Sequence, residues 1–182
     1  YPNEREMSVI PPAIALLSQL LKDKGHKTDV FDTTFYKFDD EITVGDTNQA
    51  IFESKQVRPI LDVDDEMLHY DKKSLDPAVD LREKIIEFKP DLLAVSCSET
   101  TFLRGLRLIS FTKDLGIKNI FGGVFPTFAP HLVMKHKDVD MLCVGEGENA
   151  LVDLVELICE GKDYSNVTNL WVRQKNGEIN GE

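Results

Sequence analysis

No apolar run in this 182-residue chain approaches the roughly 18 to 20 residues needed to cross a bilayer. A membrane-spanning role is therefore not expected. Cationic residues are also scarce: 21 lysines and arginines face 32 aspartates and glutamates, for a formal charge of -11. No basic stripe interleaves with aromatics, and a surface of this sign repels phosphate backbones, which argues against nucleic acid as a partner. Cysteine is limited to Cys97, Cys143 and Cys159, widely separated, and no CxxC, CxxxCxxC or HExxH occurs. The chain thus lacks the usual motifs for building a zinc or iron-sulfur site by itself. Cys97 and Cys143 lie in the apolar runs LLAVSC and MLCV, where a free thiol behaves as a small buried hydrophobe. The odd cysteine count, without a signal-like apolar segment at the start, leads us to expect a cytoplasmic protein.

What is present is the composition of an ordinary globule long enough for one core. PPAIALLSQLLKDKGH predicts a helix: Pro11 and Pro12 suit the first turn, Ile14, Leu17, Leu20 and Leu21 share a face, and Gly25 stops it. KTDVFD then reads as a short strand. Residues 36–76 form an acidic connection without steady periodicity, with a short helix expected at 51–55; such length suits a lid or an interaction segment. DPAVDLREKIIEFKP predicts a helix capped by Asp76 and ended before Pro90. DLLAVSC predicts a strand buried on both faces, and TTFLRGLRLISFTKDLG the next helix. KNIFGG, PTFAPHLVMKH, VDMLCVG and ENALVDLVELICEG follow as strand, short helix, strand and helix. This alternation argues for a parallel sheet covered by helices on both sides. The tail NLWVRQKNGEIN alternates around Asn176-Gly177, a hairpin signal, with Trp171 as a packing anchor. The opening YPNEREMSVIPP reads as a loop, yet the helix after it needs a preceding strand for a right-handed crossover. We therefore expect the first strand of the sheet upstream of Tyr1, a domain over 1–165, and a hairpin over 166–182 that begins a junction to a further domain.

In open parallel sheets, ligands bind outside the carboxyl ends of the strands. The three loops at those ends are CSETT, GGVFPT and GEGEN, all rich in small or polar residues, whereas the opposite turns (KP, GIK, KD) are plain. Each loop also has an ordinary structural account. Residues 98–101 suit a helix cap, Gly122-Gly123 a tight turn at positive φ, and Gly145 a strand end with glutamates favouring the next helix N-terminus. Glu146 and Glu148 raise acid-base catalysis, but no nucleophile or base partner stands near them in sequence. His26, His69, His131 and His136 are scattered and read as surface residues.

Taken together, the run GGVFPTFAPHLVMKHKDVDMLCVGEGENALVDLV resembles the cobalamin-binding domain that precedes the radical S-adenosylmethionine core in a large class of anaerobic enzymes, among them the anaerobic Mg-protoporphyrin IX monomethyl ester cyclase. Typical members carry GG-x-H-P-T-x-x-P, then V-D-x-V-x-x-GEGE and a leucine-rich helix. PPAIALLSQLLKDKGHKTDVFD and PDLLAVSCSETT are similar to the family's opening helix, second strand, third strand and Ser/Thr loop, so the resemblance covers residues 11–32 and 89–155. It implies a flavodoxin-like (Rossmann-like) doubly wound α/β sheet of order 2-1-3-4-5, extended here by the C-terminal hairpin. Cobalamin would lie over the strand ends with its nucleotide tail in the cleft. On that reading Ser96, Ser98, Thr100 and Thr101 face the tail or the corrin amides. Gly122, Gly123, Pro126 and Thr127 let the tail run against the backbone, and Gly145, Glu146, Gly147 and Glu148 flank its far side. Phe125 stands where many relatives have histidine, and no D-x-H-x-x-G occurs. The resemblance then implies no protein histidine on cobalt, with Phe125 or another apolar group near the lower face.

The function expected is a cobalamin-binding module of a radical S-adenosylmethionine enzyme of methyl-transfer or cyclase type. The chain itself would be non-catalytic, with the 4Fe-4S cluster and S-adenosylmethionine in a downstream domain of the same polypeptide. Two alternatives stay open: a domain that keeps the fold for docking or substrate recognition without cobalamin, and a free-standing corrinoid shuttle.

Overall fold

In the computed structural model, residues 12–33, 36 and 76–181 are described. Most of the acidic connection, the helix expected at 51–55, and His69 lie outside the described residues. Helix α1 (Pro12–Asp23) is followed by α2 (Pro77–Phe88), β1 (Leu92–Ser96) and α3 (Glu99–Ser110). Then come β2 (Lys118–Gly122), the short helices α4 (Val124–Phe128) and α5 (Pro130–Met134), and β3 (Met141–Cys143). Helix α6 (Glu148–Cys159) and strands β4 (Leu170–Arg173) and β5 (Ile179–Asn180) complete the order.

Local chemistry accounts for the helix boundaries. The Asp76 carboxylate accepts from the Ala78 amide at 2.9 Å and Pro77 occupies the first turn, a cap worth about 1 kcal/mol. The single short helix expected after the glycine pair is instead two five-residue helices, α4 and α5. Ala129, at φ -133° and ψ 48°, separates them because the residue before a proline is pushed out of the helical region, here by Pro130.

The sheet runs β1-β2-β3-β4-β5. Its first three strands are parallel neighbours, with Ala94 opposite Ile120 and Phe121 opposite Leu142, and they form the third-fourth-fifth run of the expected order. The hairpin strands extend the same sheet antiparallel, with Met141 opposite Val172. Residues 27–32, expected as a strand, belong to no strand. A strand exists only through a ladder partner, and no described strand lies beside this segment.

Two apolar clusters sandwich the sheet. Phe102, Ile109, Phe121, Val133 and Leu142 form one, and Ile120, Met141, Leu151, Leu154, Leu170 and Val172 the other. β2 and β3 are buried through their centres, yet β1 has no fully buried residue despite its sequence LLAVS. The expectation of a strand buried on both faces therefore fails at β1, beside whose outer edge no described strand lies.

At the amino ends of the strands, a buried polar network locks β2 to β3. The Asn119 side chain, 1% exposed, donates to the Asp138 carbonyl at 2.9 Å and to the Asp140 carboxylate at 2.8 Å, and accepts from the Asp140 amide at 3.2 Å. Arg173 brings β4 into this corner by donating to the carbonyls of Val139, at 2.9 Å, and of Met134 and His136. Replacing Asn119 with alanine strands these groups where water has little access. The expected cost is about 1 to 3 kcal/mol in denaturant unfolding; a change under about 0.5 kcal/mol would show that the network does not hold this edge.

Candidate functional site

The three unusual loops emerge on one side of the sheet and are stitched together. The Cys97 amide, just past β1, donates to the Gly122 carbonyl at the end of β2, at 2.9 Å. One step further, the Thr127 hydroxyl donates to the Gly123 carbonyl at 2.8 Å and accepts the Gly145 amide at 3.0 Å, joining the second loop to the third. Thr127 thus has a bridging role that its place in the motif did not reveal.

The two adjacent glycines do different work. A Cβ on Gly123 would stand 2.7 Å from the Cys97 carbonyl oxygen and 3.3 Å from Ser96 Oγ, and its φ is +102°. Only glycine suits that position, and the reason is the approach of the protein's own loop. A Cβ on Gly122 would meet nothing within 4 Å, and Gly145, at φ +84°, is equally open. These two glycines leave free space at the edge of the sheet.

That space is the end of a cavity of about 840 Å³. Of the residues singled out from sequence, Ser96, Gly122, Gly123, Thr127 and the whole GEGE loop (Gly145, Glu146, Gly147, Glu148) line it. Ser98, Thr100, Thr101, Phe125 and Pro126 do not. Thr101 is buried, and its hydroxyl accepts the Ser98 amide at 3.0 Å, which caps α3. Ser98 and Thr100 are exposed, with their hydroxyls 3.1 Å apart. Pro126 is buried, and Phe125 packs against Phe102 with ring centroids 5.1 Å apart, inside the first apolar cluster. The histidines nearby also have aromatic neighbours: His131 on Trp171 at 5.0 Å and His136 on Phe102 at 5.2 Å.

Sequence reading missed Val124 and Phe128. They line the cavity and are 65% and 84% exposed, a large apolar exposure beside glycine-rich loops. Their spacing of four places both on one side of a helical turn, a signal overlooked because Phe125 occupies the motif's histidine position.

Electrostatically the site holds neutral thiols and two carboxylates. Burial pushes the Cys97 thiol up to about 12, and Cys143 is raised by burial and then by the negative charges of Glu148 and Glu146. Both sulfurs stay protonated at neutral pH and act as packing atoms. Among the described residues no group of three or more histidines, cysteines or carboxylates could hold a metal ion. No described helix is long and apolar enough to cross a membrane. What the arrangement offers is an open, glycine-bordered cleft with hydroxyls, backbone amides and exposed apolar groups, suited to holding a large ligand.

Fold and site together define a flavodoxin-like α/β ligand-binding domain whose cleft opens at the carboxyl ends of its parallel strands. The B12 binding domain family model matches residues 49–155, and the chain belongs to that family of cobalamin-binding domains. An uncharacterized methyltransferase of Pyrococcus horikoshii is 25% identical over 107 residues, 57% of this chain and 23% of that protein. The anaerobic magnesium-protoporphyrin IX monomethyl ester cyclase of Rubrivivax gelatinosus is 28% identical over 85 residues, 45% of this chain and 15% of that protein. Among solved structures, the radical S-adenosylmethionine methyltransferase TsrM from Kitasatospora setae, with cobalamin and a [4Fe-4S] cluster bound, superposes with a TM-score of 0.67 at 19% identity. That match covers 97% of this chain and 26% of TsrM, and shows a shared fold. The chain matches about a quarter or less of the length of these curated relatives.

The glycine pair gives a direct test of the local geometry. Gly123→Ala should cost about 2 to 4 kcal/mol, since it combines a glycine-only backbone with a clash against main chain. Gly122→Ala should change stability by less than about 1 kcal/mol. Equal losses in thermal or denaturant unfolding would contradict the placement of the two loops. In the folded protein at pH 8, a thiol reagent should modify the exposed Cys159 and leave Cys97 unreacted until denaturant is added; rapid labelling of Cys97 would overturn its buried, raised-pKa state.

Proposed function

We propose that this chain is the cobalamin-binding module of a radical S-adenosylmethionine enzyme that performs methyl transfer or anaerobic cyclase-type chemistry. The observation that carries the reading is the cleft itself: Gly122 and Gly145 leave unfilled space beside a GEGE loop, in a chain of the B12 binding domain family. The names of the relatives and the fold shared with TsrM support the wider assignment. On this reading the 4Fe-4S cluster and S-adenosylmethionine belong to another domain of the same polypeptide. Three free cysteines suit a reducing cytoplasm.

The residues present fit the cofactor. Open backbone at Gly122 admits a bulky tail that any side chain there would obstruct, and the Ser96 hydroxyl in the cavity wall supplies a hydrogen-bond partner for an amide-rimmed ligand. Val124 and Phe128 offer apolar surface to the ring and exclude water beside it. Phe125, assigned that position by motif, supports the wall from behind through Phe102. Thr127 holds the second and third loops at a fixed spacing. Bound cobalamin supplies the cobalt centre on which a methyl or other group is carried; the chain's own part is to bind, orient and shield it.

Titration with hydroxocobalamin, followed by absorbance, tests the reading. Wild-type protein should bind, and Gly122→Leu should bind at least about 10-fold more weakly while keeping its thermal midpoint within a few degrees. Phe128→Ala should weaken binding by about 10-fold or more through lost apolar burial, whereas Phe125→Leu should lower stability and leave affinity within about 2-fold. Unchanged affinity in Gly122→Leu, or no binding by the wild type, would refute the cleft assignment. An absorbance spectrum showing coordination by a protein imidazole would refute an apolar lower face.

A further inference from the structure

The GEGE loop is held from two directions, and one of them lies outside the three loops of the ligand edge. On the side of β2, the Thr127 hydroxyl accepts the Gly145 amide at 3.0 Å. On the other side stands Asn169, the residue before β4, beyond the residues 49–155 that the family model matches. Its carbonyl accepts the Val144 amide at 2.9 Å, which carries the pairing of β3 with β4 one step past Cys143 and Leu170. Its side-chain amide donates to the Glu146 carbonyl at 3.4 Å, where the Cys143 thiol also donates, at 3.7 Å.

Backbone and side chain have separate tasks at this position. Asn169 has φ +67°, and with Lys89 it is one of two non-glycine residues at positive φ among the described residues. Asparagine tolerates that region better than most side chains, but glycine adopts it at no steric cost, so a turn that needed the backbone shape alone is served by glycine. What asparagine adds is the amide that reaches Glu146. The effect passes to the cavity through the Glu146–Gly147 peptide. In a trans peptide the N–H points opposite to the C=O, so tying the Glu146 carbonyl to Asn169 turns the Gly147 amide away from β4. Gly145, Glu146 and Gly147 line the cavity, whereas Asn169 does not.

We propose that Asn169 is a positioning residue for the bound ligand: its side chain clasps the third loop from the β4 side, opposite Thr127, and fixes the orientation in which Gly145–Gly147 face the cavity. The identity of the ligand rests on the cobalamin reading, and the clasp rests on the hydrogen bonds alone. A residue that does not line the cavity thereby sets the wall against which the ligand is held.

Two variants separate the side chain from the backbone. Asn169→Gly keeps the positive φ and loses the amide, and Asn169→Asp keeps the size but puts a carboxylate, which cannot donate, in place of the donor. Hydroxocobalamin affinity, thermal midpoint and amide hydrogen exchange without cofactor are measured on both and on the wild type. Both variants should bind about 5-fold or more weakly through faster dissociation, with the midpoint within about 3 °C of wild type. Exchange at the Val144 and Gly145 amides should rise about 5-fold or more, while Ile120 and Phe121 exchange as in the wild type. Affinity within about 2-fold of wild type in Asn169→Gly overturns the proposal. So does weaker binding accompanied by a lower midpoint and faster exchange at Ile120 and Phe121, which would make Asn169 a residue of general stability. Unchanged exchange at Gly145 in both variants overturns the clasp whether or not cofactor binds. Absence of binding by the wild type refutes the cobalamin reading instead, and the two failures are thereby distinguished.

Discussion

The site depends on one close approach of backbone to backbone, at Gly123. Where β1 and β2 end, the Cys97 amide reaches the Gly122 carbonyl, and the next residue lies so near the Cys97 carbonyl that a single added carbon would collide with it. This contact draws the first loop against the second, and Thr127 then draws the second against the third. A side chain at 123 would push the loops apart and loosen every position that faces the cleft. The glycine is therefore a structural joint, and its neighbour Gly122 leaves open space at the edge of the sheet.

The two edges of the sheet are built for opposite purposes. At the amino ends, Asn119, Asp140 and Arg173 satisfy backbone groups within a buried network and give the sheet a rigid anchorage. The carboxyl ends keep glycines, hydroxyls and the exposed pair Val124 and Phe128, which leave surface uncovered. Rigidity on one side preserves the geometry of an open site on the other, because the parallel strands connecting them transmit position with little freedom.

Much of this organisation was legible in the sequence. The caps and stops at Asp76, Gly25 and Gly161, and the Asn176-Gly177 turn, are local features whose physics involves only a few neighbouring residues. The alternation of short apolar strands with helices likewise pointed to a parallel sheet, and the loops GG-x-x-P-T and GEGE to the edge where the cavity lies. Errors arose where an outcome depended on distant partners. LLAVS was read as doubly buried because its composition resembles that of a central strand, but burial depends on neighbours on each side, and among the described residues β1 has a strand on one side alone. KTDVFD was read as a strand on the same grounds and lacks a ladder.

The motif stretch shows the same division within a dozen residues. By itself the sequence determined that residues 122–128 form a tight, glycine-bordered corner at the carboxyl end of β2, since positive φ, proline and the end of an apolar strand are local constraints. Which side chains face the cleft was decided only by the tertiary structure. The break at Ala129 and the packing of Phe125 on Phe102 rotate α4 so that Val124 and Phe128 stand outward. Side-chain direction on a short helix follows from what its other side can bury, and that partner, on α3, lies more than twenty residues away in the chain.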